Sequence, residues 1–399
     1  MSNVAHLEDG PRVLSIYEGF FAGGARILHT AVVRALDATS SQQHAVLSLS
    51  DRVRREFTAQ AITEDTSYRR LVTAGVPVEA LRRMPTDRLG PRHLRQLEQA
   101  VARADVLLSL KEQPLTALAR VGTGGAPLLV CLHRSDPEHQ GPGVEALVAL
   151  HEAGLLTAAV CCAHSTQEAY HRATGIPLDQ LPVIQNGVDV YRFRPDPRAR
   201  KDVRRRLGAP EGAPVVLIAA RFDEMKNIPL FVRTARRFVV EHPDAHLVMC
   251  GAGMTRGNAA LEELLSSELG HWPGLERQVH ALGIQSQMAP LYNAADLVTL
   301  TSAYGEAAPL CLLEGMASGA VPVTTDVGDA ARLVGDPRLV ADSDPDALAT
   351  AWCEAYAHRG EHSERIVRQR QRLSEQRCFD AYAGLIRDAA ATPTLGLAG

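Results

Sequence analysis

Short apolar runs alternate with segments of helical period along most of this chain, and no other feature restricts its folding as strongly. A run such as RVLSIYE (residues 12–18) is apolar almost throughout, so a strand made from it needs cover on both faces, which crossover helices supply. HAVLSLS (44–50), ADVLLSL (104–110), APLLVCL (126–132), TAAVCCA (157–163) and LPVIQ (181–185) read as strands of one set. APVVLIAA (213–220), AHLVMC (245–250), ADLVTLT (295–301) and AVPVTT (320–325) read as a second. Between the sets lies NGVDVYRFRPDPRARKD, rich in Pro, Gly and charge, which reads as a linker. From PDALATAWCEAYAHR onward the chain reads as consecutive helices, and the tail ATPTLGLAG as disordered. The fold class is therefore α/β, with two Rossmann-like doubly wound domains, at 1–188 and 189–374, facing across a cleft. A helix over 375–392 is expected to cross back to the first domain.

At 399 residues the chain exceeds the size of a single growing core, which agrees with two domains. Charged residues are 22% and the formal net charge is −4, so bulk attraction to nucleic acid or to an anionic membrane is not expected. Seven cysteines, an odd number, lie mostly in apolar runs such as LLVCL and AAVCC; they read as reduced, buried thiols and not as a disulfide framework or metal site. The N-terminus has acids before its first apolar run and no signal-peptide pattern, and no apolar run approaches 18 residues. The expected location is cytoplasmic, with no transmembrane segment. Oligomeric state has no signature here.

In a doubly wound domain the chemistry sits just after the strands. After the first strand, Gly23 and Gly24 precede a helix; paired glycines admit a close ligand, and a helix N-terminus favours an anion, although a plain tight turn fits equally. After APVVLIAA, Arg221 and Lys226 stand in a short loop before a helix whose first turn holds Pro229. A forked guanidinium and a mobile ammonium there suit a diphosphate. Gly251 and Gly253 follow AHLVMC and leave that strand end open to close approach, but they lack the full dinucleotide spacing; the missing fingerprint after the first strand argues against an NAD dehydrogenase. His133 ends the strand APLLVCL and begins a polar loop.

The stretch AYGEAAPLCLLEGMASG (303–319) holds two acids in an otherwise apolar segment. With Pro309 in the first turn of a helix and Gly319 as its stop, Glu306 belongs to the strand-to-helix loop and Glu314 to the helix. The sole Asp-x-Asp pattern containing a proline, Asp344-Pro345-Asp346, reads as an N-cap and not a metal motif.

The joint order of Gly-Gly after the first strand, IQNGVDVYRFRP, ARFDEMKN, CGAGM, and Glu-x7-Glu followed by GMASGAVPVTTDVGD resembles the family-4 retaining glycosyltransferases of GT-B fold, from about residue 12 to about 390. The resemblance implies a nucleoside diphosphate sugar as donor, UDP being the expected nucleotide, and no metal or other cofactor. Arg221 and Lys226 would hold the diphosphate and stabilise it as leaving group, and Glu314 would accept hydrogen bonds from the ribose. Glu306, with the amides of Ala307 and Ala308, would meet the donor sugar or phosphate; His133 would lie near that sugar. Gly23 and Gly24 would cover the phosphates, and Gly251 and Gly253 would line the donor site. The catalytic set is then Arg221, Lys226, Glu306 and His133.

The N-terminal half looks more closely like the glycosyltransferases of actinomycete aminoglycoside biosynthesis, which add a hexose or amino sugar to a 2-deoxystreptamine pseudodisaccharide such as paromamine. A cationic acceptor would want carboxylates, and Glu112 and Asp136, beside Arg134, are candidates, as are Glu64, Asp65 and Glu138. Solvated loop acids are the plain alternative for each. Rival readings are a bacterial glycan or exopolysaccharide glycosyltransferase and a non-catalytic sugar-nucleotide-binding protein. Small-molecule donor and acceptor are the only partners expected, with no nucleic acid.

Overall fold

A computed structural model describes residues 10–21, 23–55 and 58–391, so the tail read as disordered lies almost wholly outside the described residues. Contacts divide the chain into two units, one running to Asn186 and resuming at Gln376, the other Gly187–Glu375.

The first unit holds β1 (Arg12–Tyr17), β2 (Gln43–Ser48), β3 (Arg52–Arg55), β4 (Thr58–Ala61), β5 (Val78–Ala80), β6 (Val106–Leu110), β7 (Leu128–Leu132) and β8 (Leu156–Cys161). β3 and β4 pair as an antiparallel hairpin. The others form one parallel sheet in the order β5-β2-β1-β6-β7-β8. Alternate residues of β1 show why its sequence is apolar throughout. Val13 and Tyr17 pack with Val32 and Val33 on one face, while Leu14 and Ile16 pack with Leu97 and Leu118 on the other. The helix Gln376–Ala391 supplies Phe379, Tyr382 and Ile386 to the first of these faces.

The second unit holds β9 (Val215–Ala219), β10 (His246–Cys250), β11 (Val279–Gly283), β12 (Leu297–Leu300), β13 (Val321–Thr325) and β14 (Val340–Ala341), parallel in the order β11-β10-β9-β12-β13-β14. In each sheet the order runs outward from the first strand in both directions, so there is one switch point between β1 and β6 and another between β9 and β12. Helices that diverge at such a point leave a crevice at the carboxyl ends of the two strands.

Several expectations need correction. LPVIQ is not a strand: Pro182 has no N–H, and the segment makes one isolated bridge, Val183 to Cys161, at the open edge of β8. The edge strands β5, β11 and β14 were not expected; they are two to five residues long, and β5 and β11 carry Glu79 and His280 in place of an unbroken apolar run. Pro309 is the N-cap of the helix Leu310–Ala317 and not part of its first turn. Gly319 is its stop: at φ 93° it follows the cap, and Ala320 N–H reaches Gly315 O at 3.0 Å, closing a Schellman turn. Asp344 caps the helix Pro345–Ala357 through the amides of Asp346 and Ala347. All seven cysteines are free thiols, and burial pushes Cys131 and Cys250 up to about 12.

The amino ends of the second sheet are tied by Asp296. Its carboxylate accepts from Arg200 at 2.6 Å, from buried Arg204 at 3.1 Å and from the Val215 amide at 2.9 Å. Asp296→Ala leaves the Arg204 guanidinium buried without its anion. The expected loss is about 3–5 kcal/mol of stability, measured as a fall in the urea midpoint.

Candidate functional site

The loop after β9 is built around one acid. Asp223 accepts from Arg221 Nε at 2.8 Å through Oδ2 and from the Lys226 amide at 3.0 Å through Oδ1, folding Arg221 and Lys226 into one turn. Asn227, left-handed at φ 46°, then caps the helix Ile228–Glu241 by accepting from the Leu230 amide at 3.3 Å, with Pro229 in the first turn. Arg221 keeps half of its surface exposed, whereas Lys226 is largely covered.

Lys226 reaches across the switch point. Its Nζ pairs with Glu306 Oε1, which also accepts from Ser302 Oγ at 2.6 Å. Thr301 Oγ1 donates to Lys226 O at 2.9 Å, and the Ala303 amide to Met225 O at 2.8 Å, so the loops after β9 and β12 are laced together by side chain and backbone. Glu306, Ala307 and Ala308 are all buried. Ala307 O accepts from the Asp329 amide at 2.8 Å, and a Cβ at Gly328 would lie 2.3 Å from Glu306 O, so this backbone turn needs a glycine at its side.

Gly251 and Gly253 follow β10 as expected, but the close approach they permit is by the protein's own chain. A Cβ at Gly251 would stand 1.9 Å from Ala220 O, and one at Gly253 2.8 Å from Phe222 Cβ. Backbone bonds Ala220 N to Cys250 O and Phe222 N to Ala252 O fasten the two loops, so these glycines seat the Arg221 turn.

Glu314 lies on the helix Leu310–Ala317, mostly covered. Burial pushes it up to about 7, while a hydrogen bond from Tyr292 and the nearby Arg192 guanidinium hold it down. Neither Tyr292 nor Arg192 was expected at the site. Arg192 was hidden in a stretch read as linker, and Tyr292 in a helix with no motif.

In the first unit, Gly23 caps the helix Gly24–Thr39 with no side-chain bond, and a Cβ there would meet nothing within 4 Å, so the helix N-terminus is approachable. Arg26 in its first turn is buried and stacks over Tyr17 and Phe20 at 5.2 and 5.6 Å. A cation so placed opposes the helix dipole, a cost that a bound anion offsets. His133 follows β7. Its Nε2 is shielded from solvent and makes no hydrogen bond among the described residues, and burial next to Lys111 lowers it to about 3. His29, bonded through Nδ1 to Tyr17 Oη at 2.9 Å, is lowered to about 3 by burial and by His133.

Glu112 and Asp136 have internal partners. Glu112 is 1% exposed, takes the Tyr170 hydroxyl and is pushed up to about 7 by burial. Asp136 is 2% exposed and forked by Arg134, with Nε at 2.6 Å. Asp65 caps the helix Thr66–Thr73, and Glu64 and Glu138 are exposed. Lys111, after β6 at φ 70°, was not singled out from sequence; its ammonium makes no hydrogen bond among the described residues and burial lowers it. A polar LKEQP immediately after an apolar strand was the available signal.

Glu241, His242 and Cys353 bring one ligand atom each within 4.8 Å of one another. They stand at the far end of the helix Ile228–Glu241 from Lys226, about 20 Å by helical rise.

Residues 213–358 match the family described as Glycosyl transferases group 1. The D-inositol 3-phosphate glycosyltransferase of Thermobispora bispora is 30% identical over 212 residues, 48% of each chain. That of Xylanimonas cellulosilytica is 29% identical over 269 residues, 65% of this chain and 61% of the relative. The chain thus spans between about half and three fifths of the length of these relatives. Among solved structures, Anabaena Alr3699/HepE in complex with UDP and glucose superposes with a TM-score of 0.78 at 20% identity, covering 95% of this chain and 100% of that one. Sucrose-phosphate synthase of Thermosynechococcus elongatus gives 0.73 at 18% identity, covering 95% and 99%. These likenesses establish the GT-B fold.

His29 and His133 contribute to a stability profile, in the same direction as His44 and His280, which burial lowers to about 4. Folded, His29 and His133 are neutral down to about pH 3, whereas in the unfolded chain they take up protons near pH 6.5. Stability is therefore full above about pH 6.5 and falls as the pH drops from there toward 3. Denaturant midpoints between pH 4 and 7.5 should show this slope, and His133→Asn should make it shallower by one group's share.

Proposed function

We propose that this chain, of GT-B fold and with residues 213–358 forming a group 1 glycosyl transferase domain, moves a hexose or amino sugar from a nucleoside diphosphate sugar to a hydroxyl of a small polyol. One observation carries the reading: Arg221 and Lys226 stand in one turn at the β9/β12 switch point, with Lys226 anchored on Glu306. Two fixed cations at that position suit the charge that grows on a diphosphate as it leaves. Fixed charges do this with little reorganisation, and a single such contact is worth roughly 3–4 kcal/mol in the transition state. The Lys226 ammonium has three donors, so it can keep Glu306 and still meet a phosphate oxygen. Glu306 is then placed to meet the donor sugar and Glu314 to accept from the ribose hydroxyls. Attack from the leaving-group face with retention, the departing phosphate taking the acceptor's proton, needs no carboxylate nucleophile. In the first unit, His133 is the candidate near the reacting sugar, and Gly23 and Gly24, beside Arg26, offer an approachable anion position.

For the acceptor, the resemblance of the N-terminal half supports an aminocyclitol of the 2-deoxystreptamine type, while the relatives named above act on an inositol phosphate. Both are cyclitols, and the acceptor class we favour is a cyclitol. The internal pairing of Glu112 and Asp136 removes two carboxylates from the count available to an ammonium group. The Lys111 ammonium, which makes no hydrogen bond among the described residues, favours, as second reading, a cyclitol carrying a phosphate.

UDP-, GDP- and dTDP-sugars tested against paromamine-like amines and inositol phosphates, with products read by mass, separate these readings. With the accepted pair, Arg221→Ala and Lys226→Ala are each expected to lower kcat by about 10²–10³ with a smaller change in nucleotide affinity. Glu314→Ala is expected mainly to raise the Kd for the nucleotide. Wild-type rates in all three variants would falsify the assignment.

A further inference from the structure

Cys353 is one of two thiols of this chain that are only partly buried, and it has two other metal-ligating side chains for neighbours. Glu241, His242 and Cys353 each bring one ligand atom within 4.8 Å of the other two. Reading the cysteines as inert core thiols rested on apolar runs and on the lack of Cys-x-x-Cys spacing, and neither bears on a cluster assembled from two helices far apart in the chain. Local chemistry explains the convergence. The helix Ile228–Glu241 ends where it does because Pro243 follows: the residue before a proline is pushed out of the helical region, and His242 caps the helix at φ −126°, ψ 72°. Successive side chains on a continuing helix diverge by about 100°, whereas this break lets Glu241 and His242 reach one point.

Aromatic packing holds the group together. The His242 ring lies between Phe238, with centroids 4.5 Å apart, and Tyr356, at 5.2 Å. Phe238 also meets Trp352 at 5.6 Å and Tyr356 at 6.5 Å, which fixes the helix Pro345–Ala357 against the first helix and sets Cys353, next to Trp352, at the seam. The imidazole nitrogens of His242 make no hydrogen bond or ion pair among the described residues. The last turn of the helix Ile228–Glu241 carries no basic residue, and Glu241 adds negative charge at the end where the helix dipole is already negative. A cation bound there offsets both.

We infer that Glu241, His242 and Cys353 form a binding site for a zinc ion, with a fourth position open to water, and that the ion joins the ends of these two helices. A thiolate and an imidazole with a single carboxylate suit zinc, whereas magnesium and calcium want oxygen ligands throughout. Tetrahedral zinc bonds place ligand atoms roughly 3.5 Å apart, so closure asks for a shift of roughly 1 Å, which the exposed Glu241 side chain can supply. On binding, the Cys353 sulfur coordinates as thiolate and its proton passes to solvent. The site stands about 20 Å by helical rise from Lys226, so it is independent of the donor chemistry proposed above.

The test uses the full chain, stripped of metal by a chelator and kept reduced, titrated with cobalt(II) and then with zinc. The wild type is expected to take up one equivalent of cobalt with a Kd of about 1 μM or tighter, showing thiolate-to-cobalt charge-transfer absorption that zinc abolishes. That absorption should vanish in Cys353→Ser. Affinity should fall by about a hundredfold there and in His242→Phe, which keeps a ring between Phe238 and Tyr356, and by about tenfold in Glu241→Gln. Cys311→Ser, which removes the other partly buried thiol, should bind as the wild type does. Zinc should raise the thermal midpoint of the wild type and leave that of Cys353→Ser unmoved. Glu241 is exposed, so Glu241→Gln keeps the test decisive if another variant fails to fold. No uptake by the wild type, uptake without the charge-transfer absorption, or wild-type affinity in Cys353→Ser or Glu241→Gln overturns the inference.

Discussion

The Lys226–Glu306 ion pair is the contact on which the candidate site of the second unit depends. Both groups are covered, and a buried charge without its partner is costly, so each holds the other in place. The pair spans the point where the sheet order reverses, so one contact sets the distance between two loops with no sequence continuity. Around it, Ser302, Thr301 and the Met225–Ala303 backbone bond leave the loops little freedom. The exposed Arg221 is then presented from a fixed base. Two cations in one turn repel each other, and the Asp223 carboxylate that folds the turn offsets part of that repulsion.

The first unit repeats the same topology with different chemistry. Its switch point lies between β1 and β6, and the strand ends there lead to Gly23 and Lys111, with His133 after the neighbouring β7. Buried titratable groups are dense around these loops: Arg26, His29, Lys111, Glu112, His133 and Asp136. Burial holds both histidines neutral and brings Glu112 to about 7, so the net charge of the cluster is set by desolvation as much as by composition. Such groupings are costly to fold around and are concentrated where a protein binds or transforms a ligand.

The strands that lie inside each sheet were legible because a strand covered on both faces must be apolar at nearly every position. β1, β6, β7, β9, β12 and β13 all announce themselves in this way. The edge strands β5 and β11 did not, because a single neighbour and partial cover tolerate Glu79 and His280. Caps were legible for a local reason: Asp344 and Gly319 act through bonds within four residues of themselves. Gly251 and Gly253 illustrate the converse. Their spacing resembled a ligand loop, yet the atoms that exclude a side chain there belong to Ala220 and Phe222, some 31 residues earlier.

The sequence by itself determined the alternation of strand and helix, the two-unit division, and the residues that stand after each strand, because these follow from periodicity and short-range geometry. It placed Glu306 in a loop and Glu314 on a helix. Only the tertiary structure decided what those acids face. Glu306 meets a lysine 80 positions earlier, and the charge of Glu314 is set by burial, by Tyr292 and by Arg192 of a segment that read as a linker. Ionisation is settled at the same level, since a carboxylate near 7 or an imidazole near 3 reflects the water excluded by distant parts of the chain. Burial is a property of the packed whole, and no stretch of sequence carries it alone.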